Sequence, residues 1–350
     1  MSASETPAEV RGHKARRLAA ELRRGIAELR WPAGKLPTEA ELAREQGVSL
    51  NTVRRAVDLL VQDGLVYRRQ GSGMYIASIG TGPLIGVAVP SMTYYYPRII
   101  TGIERELSRH GAKMLLRSTE WDSRLEAEAI ESLIATDVAG LIVVPGLDDP
   151  TSLDALEDLG VPIVLVERGL ELPATQHEFV GSNHAAGARA AVKHLQALGH
   201  TRIAYLERTS PHTAPQIRAG LRIGLRGEPA VFESLPRWTS ADAGRFLDRL
   251  VAEGVTAAVC FADREATLLV NAARQRGLDV PGELSVIGYD DEVADLSEVP
   301  LTAVSPAKAD VGRLAVEVLR ARLANPDGPR QQLSLIPDLV VRASTGPSLR

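Results

Sequence analysis

The sequence predicts an α/β protein: a small helical unit ending in a hairpin, then a large body of doubly wound parallel sheets. Three observations carry this. Capped helices crowd into the first 76 residues; a small, glycine-bearing stretch, ASIGTGP, follows them; and from Leu84 onward short apolar runs alternate with helix-period segments. Continuous apolar strands with helices between them indicate sheets covered on both faces. The division read from these signals is 1–76 for the helical unit, 77–83 for a linker and 84–350 for a two-lobed body.

Between Arg11 and Leu29, apolar residues Leu18, Leu22, Ile26 and Leu29 share one helical face before WPAG interrupts the pattern. Thr38, with Glu39 and Glu41 behind it, caps a second, short helix that stops at Gly47. Ser49 caps a third, whose Val53, Ala56, Val57 and Leu60 recur at the spacing of a buried stripe. The tight GVS turn between the last two makes a helix-turn-helix, and such a second helix can enter a major groove with its first residues against base edges. Asn51, Thr52, Arg54 and Arg55 stand at that end. LVYRR and MYIA, split by QGSG, read as a hairpin or wing.

Charge agrees with this reading. The chain has 350 residues and a net charge of −4, but residues 1–79 hold 13 Lys and Arg against 9 Asp and Glu, leaving 27 against 35 for the remainder. A basic end on an acidic body is an electrostatic footprint for a polyanion. With 45% hydrophobic and 24% charged residues the chain should fold. A single cysteine, Cys260, excludes an internal disulfide framework and suits a reducing cytoplasm; no metal-ligand spacing occurs, and no long apolar run suggests a membrane span or a leader.

The stretch LPTEAELAREQGVSLNTVRRAVDLLVQDGLVYRRQGSGMYIA resembles the winged helix of the GntR family of bacterial regulators nearly end to end. The resemblance implies contacts with double-stranded operator DNA from Ser49, Asn51, Thr52, Arg54, Gln70 and Gly71, with Arg55 beside them. Ala40 and Leu50 stand where relatives often carry an arginine that reaches DNA, so the operator's sequence does not carry over.

In the body, LIGVAVP, KMLLRS, GLIVVP, PIVLVE, FVGS, RIAYLE, AAVCFAD and LSVIGYD read as strands. Two doubly wound lobes would gather their strand C-termini around a shared cleft, the usual place for a ligand in open α/β sheets. Three consecutive tyrosines, Tyr94, Tyr95 and Tyr96, follow the first of these strands and cannot all enter one core face. From YYYPRIITGIERELSRHG through SNHAAGARAAVKHLQALGHTRIAYL and RGLDVPGELSVIGYDDE to LIPDLVVRAST, the body resembles the LacI/GalR type of effector domain, itself similar to periplasmic binding proteins.

That likeness implies a small-molecule effector in the cleft, a sugar first and a purine or nucleoside as the rival class. It points to Tyr94, Tyr95, Tyr96, Trp121, Asp122, Arg168, Arg218, Trp238, Asp263 and Asp290 as ligand contacts. Glu167 replaces an aspartate of the family's Asp-Arg motif, Leu221 stands for a phenylalanine, and FADR departs from the usual Asn-Asp. Asn183 and His200 also match family signatures but read as structural, one as a helix cap and the other beside a helix-ending glycine. A homodimer is expected, because two-fold operators reward two-fold readers. No GxSxG elbow, GxGxxG turn or GxxxxGK[ST] loop occurs, and Cys260 sits in the apolar run AAVCFA, so neither an enzyme nor a cofactor is expected.

Overall fold

The structure is a computed structural model that describes residues 7–27, 30–31, 34–63, 65–69, 73–76, 82–146, 159–168, 177–210 and 212–349. The N-terminal unit consists of α1 (Pro7–Ala27), α2 (Glu39–Gln46), α3 (Leu50–Gln62) and the antiparallel hairpin β1 (Val66–Arg69) with β2 (Gly73–Ile76). Leu18, Leu22 and Ile26 of α1 meet Leu42, Val53, Ala56, Val57 and Leu60 in one core. Leu29 and the wing-tip residues Gln70 and Gly71 lie outside the described residues.

Local chemistry sets these helix ends. Thr38 and Glu41 form a reciprocal capping box, and Gly47 closes α2 in the left-handed region at φ 61°, where a side chain would be strained. The Ser49 hydroxyl accepts from the Thr52 N–H at 3.2 Å and opens α3. The backbone before α2 also extends the wing: the Leu36 N–H donates to Met74 O at 3.0 Å, and the Ile76 N–H to Gly34 O at 2.7 Å.

The body has two six-stranded sheets. The first lobe takes β3 (Leu84–Val89), β4 (Lys113–Ser118), β5 (Gly140–Val143), β6 (Ile163–Val166), β7 (Glu178–Ser182) and β13 (Gln332–Leu335) in the order β13-β7-β6-β5-β3-β4, all parallel. The second takes β8 (Ile203–Arg208), β9 (Phe232–Leu235), β10 (Ala257–Cys260), β11 (Ser285–Tyr289), β12 (Thr302–Ser305) and β14 (Asp338–Val340) in the order β14-β12-β11-β10-β8-β9, with only β14 antiparallel. Apolar clusters cover both faces of each sheet. The eight strands expected from the sequence are present, and β9, β12, β13 and β14 join them.

Helices α4 (Tyr96–Arg109), α5 (Ser123–Ile134) and α10 (Lys308–Ala324) pack on the first lobe; α6 (His184–Ala197), α7 (Thr213–Leu225), α8 (Ser240–Ala252) and α9 (Asp263–Gln275) belong to the second. The chain therefore crosses between lobes three times: after Ser182, after Ser305, and between Leu335 and Asp338. Helices α4 and α10 touch backbone to backbone. A Cβ on Gly102 would stand 2.1 Å from Ala309 O, and one on Gly312 would stand 2.2 Å from Ile99 O. The second lobe repeats the device, with Gly220 against Ala185 O.

Candidate functional site

On α3, Asn51, Arg54 and Arg55 are exposed. Thr52 is different: it is largely buried, and its hydroxyl lies 2.8 Å from that of Ser49, so both side chains are engaged in the cap. Arg54 Nε donates to Glu39 Oε2 at 2.9 Å, and Arg68 of the wing donates to Glu39 Oε1 at 3.2 Å and to Asp58 Oδ1 at 2.7 Å. One carboxylate on α2 thus ties the start of α3 to the hairpin. Leu50 lies partly exposed at the same tip.

A cavity of about 650 Å³ opens between the lobes, within the range of about 300–1,000 Å³ typical of small-molecule sites. Loops at the C-terminal ends of β3, β4, β5, β6, β8, β10 and β11 all reach it, since the two sheets point these ends at one another. Tyr94 (φ 60°), Trp121 (φ 65°), Glu167 (φ 62°) and Asp290 (φ 84°) line it in left-handed backbone conformations. Strain of this kind, about 1–3 kcal/mol per residue, concentrates where side chains are aimed for a purpose.

The first lobe supplies an aromatic wall. Tyr95 and Tyr96 meet edge to face at 5.5 Å, Tyr96 and Trp121 at 5.9 Å, and the Arg168 guanidinium lies 4.2 Å above the Trp121 ring while donating to Gly146 O at 3.2 Å. Glu167 is buried behind them. Its carboxylate accepts from the Tyr95 hydroxyl at 3.0 Å, the Ser182 hydroxyl at 2.9 Å and the Ser182 N–H at 3.1 Å. Burial alone would push this acid up, but His184, at 3.6 Å, and the Ser182 donors outweigh it and hold it below the usual carboxylate range.

The second lobe supplies His184, Arg208, Thr209, Ser210, Thr213, Phe261, Arg264, Glu265 and Asp290. Asp290 is buried, and desolvation lifts its carboxyl to about 7, against the pull of Lys308. Lys308 is itself buried: it donates to Asp290 O, reaches Glu292 Oε1 at 2.7 Å and lies 5.0 Å from the centre of the Tyr95 ring. Because α10 begins at the second crossing, this lysine ties the two lobes where it meets the cavity residues Asp290 and Tyr95.

Of the sequence-derived ligand residues, Tyr94, Tyr95, Tyr96, Trp121, Arg168 and Asp290 come together here, and four do not line the cavity. Asp122 turns back to cap α5, accepting from the Arg124 and Leu125 N–H groups at 2.9 and 3.0 Å. Trp238 is buried in the second-lobe core, its indole N–H on Glu207 O at 2.6 Å. Arg218 grips the Glu207 carboxylate with two bonds, of 3.1 and 2.7 Å. Since alternate side chains of a strand face opposite ways, the Glu207 carboxylate points toward Arg218 and the Arg208 side chain toward the cavity. Asp263 is also turned inward, accepting from the Glu292 and Val293 N–H groups at 2.7 and 3.0 Å.

Asn183 caps α6, and His200 joins Thr256, Ser285 and Gly346 by bonds of 2.8 to 3.0 Å. Cys260 is buried, and desolvation pushes its thiol well above the ordinary value, which suits packing rather than nucleophilic work. Among the described residues no group of acids, histidines and cysteine is placed to hold a metal ion, and no helix is long and apolar enough to cross a membrane.

Comparison with known proteins fits this anatomy. The model for the bacterial regulatory proteins of the gntR family matches residues 14–76, and the periplasmic binding protein-like domain matches residues 192–345. The arabinose metabolism transcriptional repressor of Geobacillus stearothermophilus is 32% identical over 338 residues, which cover 90% of this chain and 92% of that protein. The chain belongs to this family of GntR-headed transcriptional repressors. Among solved structures, the Lac repressor dimer bound to operator and an anti-inducer superposes with a TM-score of 0.66 at 27% identity, over 76% of this chain and 95% of that one. A CelR–cellobiose complex at 23% identity shares the fold over 88% of this repressor and all of that chain, with a TM-score of 0.64. The GntR-headed repressor thus joins a gntR-type head to a periplasmic binding protein-like body on one polypeptide.

Proposed function

We propose that this repressor grips operator DNA as a homodimer in the cytoplasm, through Asn51, Arg54, Arg55 and the wing, and that a sugar bound between the lobes alters that grip. The head and body correspond to residues 1–76 and 84–350, joined by the linker at 77–83. The carrying observation is the interlobe cavity, which combines guanidiniums, carboxylates, hydroxyls and aromatic rings. A sugar needs this mixture, because every hydroxyl left unpaired in a buried site costs about 1–3 kcal/mol. The arabinose repressor among its relatives makes arabinose the first sugar to try. No catalytic constellation is required, and the protein acts by binding alone.

The switch follows from linkage. A sugar contacting both lobes favours their closed arrangement, and it changes DNA affinity only as far as it binds the closed and open forms unequally. The test is a melting-temperature screen of the full chain with arabinose, ribose, glucose, cellobiose and purine bases, followed by titration of the best sugar with and without operator. The factor by which the sugar changes DNA affinity should equal the factor by which DNA changes sugar affinity. Equal sugar affinity in both titrations would refute the coupling, and a response to purines alone would replace the sugar. Arg54→Ala should weaken operator binding by about 1–3 kcal/mol and leave sugar affinity intact.

A further inference from the structure

Two second-lobe side chains face the cavity in an unfinished state. Glu265 is 2% exposed, and its Oε2 has no hydrogen-bond partner among the described residues. Arg208 lies 4.9 Å from the centre of the Phe261 ring, and no ion pair or hydrogen bond from its guanidinium is found among the described residues. The two feel each other's charge, yet they do not meet. Asp263, two residues before Glu265, also has an unpartnered oxygen, Oδ1, but its Oδ2 is held by two backbone donors and it does not line the cavity, so Glu265 is the acid of this segment that faces the ligand space.

We infer that Glu265 and Arg208 form a split acceptor–donor pair that seats one hydroxyl of the ligand, and that Glu265 is a specificity-determining residue of the cavity. A hydroxyl accepts from a guanidinium with its lone pairs and donates its proton to a carboxylate, so one group completes both side chains. An ammonium would satisfy Glu265 but repel Arg208. A ligand carboxylate would satisfy Arg208 and face the Glu265 charge. The rings do not offer themselves as a cation cage either, because Arg168 and Arg208 already stand over Trp121 and Phe261. This inference rests on the sugar reading and sharpens it: the ligand must place a free hydroxyl between α9 and the end of β8.

A buried acceptor held open for a ligand is a cost to the empty protein. Removing it should therefore weaken binding while stabilising the unliganded fold, whereas a side chain that merely supported the structure would do the opposite. The test uses the full chain as wild type, Glu265→Gln and Glu265→Met, with calorimetric titration of arabinose, ribose, glucose and cellobiose and of the monodeoxy forms of whichever binds. Both variants should lose about 10- to 100-fold in affinity, keep DNA binding and melt at or above the wild-type temperature. One monodeoxy sugar should lose as much on wild type and nothing further on Glu265→Gln. Sugars that bind the variants as tightly as wild type, or variants that melt lower, overturn the pair and leave the sugar reading standing. If none of the four binds wild type, both fall.

Discussion

Glu39 is placed to restrain arginines of the proposed DNA-binding surface, which gives Glu39→Gln an unusual expected outcome: tighter binding to DNA. Its carboxylate holds Arg54 of α3 and Arg68 of the wing, at 2.9 and 3.2 Å. The arginine side chains are 59% and 42% exposed, so each pair contributes no more than about 1 kcal/mol to the fold. The substitution should cost the head little. Against a duplex, it removes one negative charge and releases the Arg54 guanidinium from a pair worth about 1 kcal/mol at most, a ceiling of about 5-fold in affinity, while Arg68 stays held by Asp58 at 2.7 Å. Each added phosphate contact steepens the dependence of log affinity on log salt by about 0.9, so the slope should grow by about 1. Fluorescence anisotropy with a mixed-sequence duplex at several salt concentrations measures both quantities without knowledge of the operator. Unchanged or weaker binding, with an unchanged slope, would show that Glu39 orients Arg54 rather than withholding it.

Three further outcomes follow from the body. Gly312→Ala forces a methyl onto Ile99 O and should lower stability by about 1–3 kcal/mol in urea denaturation; an unchanged midpoint would contradict the α4–α10 contact. Trp238→Phe strips the donor from Glu207 O and should cost about 1–2 kcal/mol of stability, while sugar affinity stays within about threefold; a larger loss of affinity would return Trp238 to the ligand site. Asp290 is an acid whose folded value, about 7, lies above its ordinary 3.8, so its contribution is present at low pH and is lost as pH rises through 7. The full shift corresponds to about 4 kcal/mol. Asp290→Asn should accordingly gain on wild type in urea midpoint between pH 5 and pH 8, and parallel pH profiles would show that Lys308, His184 and Arg208 already compensate the charge.

Much of this architecture was legible because local signals and tertiary packing agree. The caps at Thr38 and Ser49 and the stripe from Val53 to Leu60 specify the head without reference to the body. Two of the four strands that escaped notice are of another kind. β9 reads FESL and β13 reads QLSL, short edge strands with partly exposed side chains that lack the continuous apolar signature of a buried strand. At the site, the loops and six of the ten side chains were legible, and the directions of the other four were not. Family position pointed to Asp263, Arg218 and Trp238, but hydrogen bonds to Glu207 and to the Glu292 and Val293 N–H groups hold these inward, and Arg208 and Glu265 line the cavity instead. Direction depends on which oxygen finds which backbone N–H, and residue type alone does not carry that.

The triple passage of the chain between lobes bears on how the protein is made. The head is a contiguous stretch whose core closes within the first 76 residues, so it can fold while the ribosome is still translating. Neither lobe can follow suit, because β13 and β14, the rims of the two sheets, are the last strands synthesised. A frameshift late in the reading frame would therefore maim both lobes at once while leaving the core of the head intact.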